Sequence, residues 1–251
     1  MNLKKLIVFI FIVPSLLFGS VYFDGSDDYL DCGSGINLDK TSMSVTAWVN
    51  PTFETEPFPR ATIFSYYSDA NGVQFEMYLD DGSFMGSYIL LGCDLLDSSG
   101  SYNTVLMDYG DATGWRHVGC LWDGSNLTPY VDTLAGTPVS VSDSAQVDNG
   151  TLTIGAQSGP LYLFYGEITD INYYTRKLSQ SEIDTLFYSR MRGTVVPTQS
   201  REGYWPLDDY ENGTAVNTNS FLNRATPGTG NCSGSASGAG GTAYADFIRY
   251  H

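Results

Sequence analysis

The stretch GEITDINYYTRKLSQSEIDTLF, residues 166–187, decides the fold class. Its first part, residues 167–174, is rich in β-branched and aromatic side chains, which favour a strand. Ser179 then fits a helix N-cap, and Glu182 stands three residues later, as in a capping box. The apolar side chains that follow share one helical face, so we predict a short helix over residues 180–189. These apolar side chains are Ile183, Leu186 and Phe187.

Upstream of this stretch, short strand-like runs alternate with turns. Residues 43–49 carry apolar side chains at every second position, with Trp48 on the opposite face. Further runs at residues 62–67, 73–79 and 115–122 are separated by turns that contain Gly and Asp. The 251 residues include 18 Tyr, 13 Phe and 27 Gly, and only 16% are charged. Aromatic side chains favour strands, and glycine favours the tight turns between them. The pattern predicts an all-β sandwich or barrel.

The charge of the chain limits its partners. The formal net charge is −16, and such a surface is repelled by nucleic-acid phosphates and by anionic membranes. We therefore expect neither nucleic-acid binding nor membrane insertion of the mature chain. The many carboxylates are explained either by solubility or by calcium binding, since hard cations prefer clustered oxygen ligands.

The N-terminus has the pattern of a secretory signal peptide. Lys4 and Lys5 precede an apolar stretch at residues 6–18, which ends in the small residues Gly19 and Ser20. The stretch is shorter than the roughly 20 residues of a spanning helix, although an uncleaved anchor is the alternative. We predict that residues 1–20 are removed and that the protein is secreted, or displayed on a cell or virion surface.

Four cysteines follow the predicted signal peptide, and an exported protein can pair them. Cys32 and Cys120 lie within strand-like runs, where a buried free cysteine can serve as a small apolar residue. One disulfide, none or two are therefore all compatible with the sequence, and spacing does not identify partners. The other two cysteines are Cys93 and Cys232.

Three parts of the chain together resemble the laminin G-like jelly rolls of the concanavalin A-like lectin/glucanase superfamily. They are residues 23–49, which begin Phe-Asp-Gly, residues 115–132, which begin Trp-Arg-His-Val, and residues 166–187. The resemblance implies a two-sheet antiparallel jelly-roll sandwich over residues 21–195, with one helix after its last strand.

A fourth likeness stands out of order. Residues 203–209, Gly-Tyr-Trp-Pro-Leu-Asp-Asp, resemble the opening strand of such a domain, yet they follow the helix. We predict that a strand near residues 203–207 of the C-terminal segment 196–251 completes the same sandwich, because termini often lie close together. A truncated second copy is the alternative. The Gly/Ser-rich residues 228–242 are predicted to form a loop.

Catalytic patterns are weak in this sequence. The superfamily includes glucanases, but the chain lacks their Glu-x-Asp-x-x-Glu run. Glu54 and Glu56 share one face of an extended segment, but the surrounding prolines suggest a solvated loop. His117, within its strand-like run, is interpreted as structural because no nucleophile or carboxylate partner is evident. We therefore predict a non-enzyme, and a glycoside hydrolase is the third choice.

Calcium is the one cofactor that the resemblance implies. Relatives carry a structural calcium ion at one edge of the sandwich, and the matching positions are Asp24 and Asp170. Thr169 stands where the family often has a carboxylate, which weakens the ligand set. Calcium needs six to eight oxygen ligands, and the sequence supplies two of them at matching positions.

The resemblance leads us to predict a non-catalytic extracellular module that binds carbohydrate or another surface ligand. Exposed aromatic rings present flat apolar faces to sugars, and four tyrosines at strand ends or in loops are candidates for this contact, although ordinary sheet packing also explains them. A structural or adhesion protein without a small ligand is the alternative. The four tyrosines are Tyr66, Tyr67, Tyr88 and Tyr102.

Overall fold

A computed structural model describes most of the chain. The described residues are 19–52, 60–80, 89–110, 114–159, 161–192, 196–207, 210–211, 214–215, 220–226, 229–235 and 248–250. The predicted signal peptide lies outside them except for Gly19 and Ser20, as do Glu54, Glu56 and Tyr88.

The described elements are nearly all strands, with a single α-helix among them. The elements up to the helix are β1 (Gly19–Asp24), β2 (Tyr29–Gly33), β3 (Met43–Pro51), β4 (Ala61–Ser68), β5 (Gly72–Asp80), β6 (Ile89–Leu96), β7 (Tyr102–Gly110), β8 (Arg116–Trp122), β9 (Asn126–Val131), β10 (Leu134–Ala135), β11 (Val139–Ser140), β12 (Thr151–Ile154), β13 (Tyr165–Tyr174) and α1 (Gln180–Arg192). After it come β14 (Arg201–Trp205), β15 (Tyr210–Glu211), β16 (Thr214–Ala215), β17 (Ser220–Phe221), β18 (Cys232–Ser235) and β19 (Ile248–Tyr250).

The described strands form two antiparallel sheets and one short hairpin, β15–β16. The first sheet has the order β10-β9-β8-β3-β13-β1-β19, with β11 beside β9 and β14 beside β13. The second sheet has the order β17-β18-β2-β12-β4-β5-β6-β7. The two sheets enclose one apolar core, which confirms the predicted sandwich.

Alternation along each strand divides core from surface. In β5, Phe75, Met77 and Leu79 lie in the core, and Glu76 and Tyr78 therefore point to the opposite side of the sheet. We call this opposite side of the second sheet its outer face. The first sheet follows the same rule, because alternate residues of β3 enter the core while Trp48 points away from it and stacks on Phe187 of α1, with ring centroids 5.4 Å apart.

The helix begins with the predicted capping box and runs three residues beyond the predicted end. The Ser179 amide and hydroxyl both donate to the Glu182 carboxylate at 2.9 Å. Arg176 also binds this carboxylate, and its hydrogen bonds are the main reason that the pKa of Glu182 falls to about 2. Ile183 and Leu186 then pack on the first sheet. His117 is buried there as well, beside Trp48, which agrees with a structural role.

The predicted C-terminal strand is present, two residues earlier than expected, as β14. It pairs with the second half of β13, from Ile171 opposite Trp205 onward. Strand β1 pairs with the first half of β13, where Val21 lies opposite Ile168 and Asp24 lies opposite Tyr165. The two strands thus lie end to end along β13, so the out-of-order strand completes the first sheet.

The structure decides the cysteine pairing, which the sequence left open, and corrects one sequence expectation. All four cysteines are paired, as Cys32–Cys232 within the second sheet and Cys93–Cys120 between the two sheets, so neither Cys32 nor Cys120 is free. The segment predicted as a loop at residues 228–242 contains β18, because its pairing with β2 overrides the weak local propensity. Ser20, the last residue of the predicted signal peptide, lies in β1, and its hydroxyl donates a hydrogen bond to Glu167 at 3.0 Å.

Candidate functional site

A row of polar side chains crosses the outer face of the second sheet. Cross-strand register sets Thr153 opposite Ser65, Ser65 opposite Glu76, Glu76 opposite Asp94, and Asp94 opposite Thr104. Residues directly opposite in antiparallel strands are close enough for their side chains to touch. Five strands thus bring hydrogen-bonding groups to one level of the face, with two carboxylates side by side at its centre.

Arg60 joins these two carboxylates. Its Nη1 lies 2.8 Å from Glu76 Oε2, and its Nη2 lies 3.0 Å from Asp94 Oδ2. Glu76 is fully buried and also accepts hydrogen bonds from Thr62 at 2.5 Å and from Gln157 at 2.8 Å. The Glu76 carboxylate is therefore saturated with donors, as a buried charge must be. Arg60, Glu76, Asp94 and Gln157 are named the ion cluster below.

An aromatic layer supports the ion cluster. The Tyr78 ring lies over Gly92, where an added Cβ would be 2.2 Å from the ring, so only glycine leaves room for it. The Arg60 guanidinium lies on this ring, 3.6 Å from its centroid, in cation–π contact. The Tyr162 ring centroid is 5.9 Å from the same guanidinium. The Gly92 backbone, the Tyr78 ring and the Arg60 guanidinium thus form stacked layers. Tyr162 lies beside the guanidinium.

Burial governs the protonation of the ion cluster. It raises the pKa of Glu76 above the ordinary value, although the charge of Arg60 opposes the rise. Burial alone would lower the pKa of Arg60, but the charges of Glu76 and Asp94 outweigh it and raise that pKa. Arg60 is consequently a permanent cation whose charge is shared by two carboxylates.

The described residues of the β12–β13 loop, 155–159 and 161–164, cover one side of the ion cluster. The loop places the Gln157 side chain on Glu76, and the Tyr162 carbonyl accepts a hydrogen bond from the Thr62 amide at 2.8 Å. Ser158 and Tyr162 have φ angles of 40° and 49°, in the left-handed region that side chains rarely adopt. The loop is thus held in a strained shape that leaves the Tyr162 ring exposed beside Arg60.

A second candidate site, named the acidic turn, consists of Asp24 at the end of β1 with Asp27 and Asp28 in the turn after it. One carboxylate oxygen from each residue lies within 4.8 Å of the others. Asp24 Oδ1 accepts the Ser26 amide at 2.8 Å, which fixes the turn. Burial, together with the neighbouring carboxylates, raises the pKa of Asp28 to about 6. This turn holds concentrated negative charge that a hard cation would neutralise.

The two candidate sites lie at the same loop. Asp24 is opposite Tyr165 in the first sheet, and Tyr165 is only three residues beyond Tyr162. Three residues of chain span at most about 11 Å. The acidic turn is therefore at one end of the loop that covers the ion cluster.

The structure does not bring the two predicted calcium ligands together. Asp170 is five residues beyond Tyr165, the partner of Asp24, so about 17 Å of strand separates them. Asp170 instead accepts a hydrogen bond from the Tyr204 hydroxyl at 3.1 Å, and its amide donates to the Pro206 carbonyl. It therefore secures β14, while Asp27 and Asp28 are the carboxylates that accompany Asp24.

The predicted ligand-contacting tyrosines are scattered. Tyr66 is fully buried in the core, where its hydroxyl accepts the Gly150 amide at 2.9 Å, so it cannot touch a ligand. Tyr67 is half-buried, Tyr102 is exposed on β7, and Tyr88 lies outside the described residues. Sequence reasoning missed Tyr162 and the ion cluster, because no local motif connects residues 60, 76, 94 and 157.

One comparison, with a protein-family model, identifies the family of this chain. Residues 24–184 match the laminin G-type model of the concanavalin A-like lectin/glucanases superfamily. This match covers more than half of the chain, and the chain belongs to that superfamily, as its resemblance implied. No curated protein matches the chain in sequence. Among the described residues, no helix has the length and apolar character needed to cross a membrane.

Solved structures with the same fold are distant in sequence. A heptameric SAP-like pentraxin from Limulus polyphemus has a TM-score of 0.54 and 15% identity, over 67% of this chain and 81% of the pentraxin. A candidate carbohydrate-binding protein from Bacteroides ovatus has a TM-score of 0.59 and 13% identity, over 94% of this chain and 60% of that protein. The receptor-binding domain of botulinum neurotoxin mosaic serotype C/D has a TM-score of 0.50 and 16% identity, over 66% of this chain and 43% of that domain. The chain thus spans less than two thirds of the last two, and the likeness concerns fold alone.

Proposed function

We propose that this protein is a non-catalytic module that binds neutral saccharides on the outer face of the second sheet, at Tyr162 and the ion cluster. The observation that carries the proposal is the exposed Tyr162 ring held beside Arg60, which in turn binds Asp94. A sugar ring has apolar C–H faces and a rim of hydroxyls. A flat aromatic face next to fixed donors and acceptors matches both, as in other small-molecule sites.

The ion cluster is rigid, and this rigidity favours the binding of a ligand. Arg60 is held by Glu76, Asp94 and the Tyr78 ring, so its remaining N–H donors have fixed directions. Donors that are already ordered cost little entropy when a ligand binds. The Bacteroides ovatus structure, which is described as a candidate carbohydrate-binding protein, has the same fold and supports this class of ligand.

The charges of the site favour neutral over acidic sugars. Arg60 already faces two carboxylates, so it offers no unopposed positive charge to a sulfate or carboxylate group. The chain as a whole carries a net charge of −16, which repels anions further. A sialylated or sulfated glycan would therefore bind more weakly than its uncharged core.

The same geometry argues against catalysis. A retaining glycosidase needs two carboxyl groups about 5–5.5 Å apart that can reach the substrate. Glu76 and Asp94 are neighbours across two strands, but Arg60 lies between them and Glu76 is fully buried. A carboxylate saturated by donors is a poor nucleophile and a poor proton donor. We therefore propose that glycoside hydrolysis is not the activity of this site.

Replacing Tyr162 with alanine is expected to weaken saccharide binding by about 30-fold or more, as the loss of a central aromatic anchor does at other interfaces. A glycan array with the purified chain identifies the saccharide, and isothermal titration then measures its affinity for both proteins. Tyr188→Ala is the matched control, because Tyr188 is 49% exposed, against 46% for Tyr162, and lies on α1 against the other sheet.

Three outcomes would contradict the proposal. Equal losses in both tyrosine variants would show that the ligand does not use the outer face. Preferential binding of sialylated or sulfated glycans would overturn the neutral class. Absence of binding to any saccharide would favour the alternative of a structural or adhesion protein.

We further propose that the acidic turn binds a calcium ion. Asp24, Asp27 and Asp28 supply carboxylate oxygens of the kind calcium prefers, and the raised pKa of Asp28 reflects burial and the neighbouring charge that a cation would relieve. A cation here would neutralise the turn at the end of the β12–β13 loop. Its role would be structural, since these carboxylates belong to the turn and not to the ion cluster.

Calcium is expected to raise the melting temperature by about 5–10 °C at a concentration about a hundredfold above its dissociation constant. The shift should shrink below about pH 6, where protonation of Asp28 removes a ligand. Differential scanning calorimetry with calcium and with a chelator measures it. Asp27→Asn should abolish the shift and Asp170→Asn should retain it. An unchanged melting temperature on adding calcium would show that the acidic turn does not bind this ion.

The two disulfides support the proposal that the protein is exported. Paired cysteines persist in oxidising compartments and are rare in the cytosol. Together with the charged, apolar and small-residue pattern of residues 1–20, they favour secretion or surface display.

A further inference from the structure

The edges of the two sheets are protected to very different degrees. Unpaired strand edges invite association with other chains, and proteins commonly shorten, charge or cover them. In the first sheet, β10 and β11 have two residues each and β19 has three. The outer side of β14 is covered by residues 223–224, since the Arg224 amide donates to the Tyr204 carbonyl. At one edge of the second sheet, β17 has two residues.

Strand β7, at the other edge of the second sheet, is neither short nor covered by another described segment, and its one charged residue is Asp108. It is nine residues long and carries no lysine or arginine. Among the described residues, β6 is the only strand that pairs with it, and its backbone forms no hydrogen bond to a surrounding loop. Every second side chain along it is exposed on the outer face. These side chains belong to Tyr102, Thr104, Leu106 and Asp108, with Gly110 at the end.

We propose that β7 pairs antiparallel with β7 of a second copy of this chain, forming a symmetric dimer with a continuous 16-stranded second sheet. The register that uses the full strand is centred on Leu106, and it sets Leu106 opposite the Leu106 of the second copy. Open backbone groups of each strand are then satisfied by the other, which is how edge strands add to a sheet.

The charges of β7 suit a second copy better than another partner surface. In the register centred on Leu106, Asp108 of one copy faces Thr104 of the other, so no carboxylates face each other. Within one copy, the Asp108 carboxylate also accepts a hydrogen bond from the Gly110 amide at 2.8 Å. Two copies of a chain with a net charge of −16 can approach only along a surface that is nearly neutral. Strand β7, with Asp108 as its one charged residue, is such a surface.

The dimer would place two saccharide sites on one continuous face. Leu106 is directly opposite Gly92, which lies beneath the Tyr78 ring of the ion cluster. Dimerisation would therefore set the two ion clusters near each other across the new strand pair. Two weak sites on one face can bind a repeating ligand more strongly than either alone. The dimer itself does not depend on the proposed saccharide function.

The experiment measures association of the purified chain without any saccharide. Sedimentation equilibrium is expected to show a reversible dimer, and Leu106→Lys should raise its dissociation constant by at least about 30-fold, because two lysines would oppose each other at the centre. Leu134→Lys is the control, since Leu134 is 67% exposed on β10, against 42% for Leu106. Circular dichroism checks that each variant is folded.

A second variant tests the register. Residues opposite in antiparallel strands have Cα atoms about 4.5–5.5 Å apart, a distance that a disulfide can bridge. Leu106→Cys should therefore form a covalent dimer on oxidation, without competition from native cysteines, which are all paired. Leu134→Cys should not. A wild-type chain that stays monomeric at every concentration, with no cross-linking of Leu106→Cys above the control, would overturn the proposal.

Discussion

Replacing Arg60 with methionine is expected to lower the free energy of unfolding by about 3–5 kcal/mol near pH 8. Methionine retains much of the apolar stem but removes the charge that faces Glu76 and Asp94. Glu76 is fully buried, so water cannot replace the lost partner. Two neighbouring carboxylates would then remain in a poorly solvated place. Urea titration monitored by tryptophan fluorescence measures the loss.

Acidity should largely rescue this variant. Burial already raises the pKa of Glu76, and without Arg60 the pKa rises further. A carboxyl whose pKa is higher in the folded than in the unfolded state binds more protons when folded, so its protonation favours folding as the pH falls. The deficit against wild type should therefore be smaller near about pH 5 than near about pH 8. The wild type should show a weaker trend, because Arg60 limits the rise.

Lys177→Met is the matched control. It also removes one cation, but its partner Asp123 is partly exposed, and a surface ion pair of this kind contributes about 0–1 kcal/mol. A small, pH-independent loss is expected. If Arg60→Met were no more destabilising than Lys177→Met, or if its deficit did not change with pH, the ion cluster would not hold a costly buried charge.

Removing the Cys32–Cys232 disulfide is expected to cost about 5 kcal/mol, measured as the change in unfolding free energy of the Cys32→Ala/Cys232→Ala variant. The bond closes a loop with a sequence separation of 200 residues, so it removes much of the freedom of the unfolded chain. It also ties β18 to β2, the strand that follows the acidic turn. Hydrogen exchange of β18 should accelerate in this variant.

The Cys93–Cys120 disulfide provides the comparison. Its sequence separation is 27 residues, so the same reasoning gives a smaller cost of about 3–4 kcal/mol for Cys93→Ala/Cys120→Ala. A larger loss for this pair than for Cys32→Ala/Cys232→Ala would mean that its position in the core between the sheets outweighs loop length. Unchanged exchange in β18 would show that pairing with β2, and not the disulfide, holds that strand.

Much of the fold could be predicted because its signals are local. Strict alternation in β3 assigns one face to the core, and the Ser179 and Glu182 spacing marks the start of α1. The strand near residues 203–207 was predicted from a resemblance, and β14 confirmed it beside β13. The short strand β18 was missed, because its sequence has little β preference and only the pairing with β2 makes it a strand.

The candidate site was harder to predict because its parts are far apart in sequence. Asp24 was predicted to lie in a turn, but it is the last residue of β1. The carboxylates close to it belong to Asp27 and Asp28, whereas Asp170 is held by Tyr204. Tyr66 looked like a surface residue at the end of a strand. Alternation along β4 instead places it in the core with Phe64, where its hydroxyl accepts the Gly150 amide.

The sequence by itself determined the all-β class, the single capped helix, the acidic surface and the superfamily, because periodicity, capping and composition are properties of neighbouring residues. Only the tertiary structure decided the disulfide partners, the ion cluster of Arg60, Glu76, Asp94 and Gln157, and the unprotected edge of β7. Each of these depends on which strands become neighbours and in what register. That choice is made by the packing of the whole core, and no short stretch of the sequence encodes it.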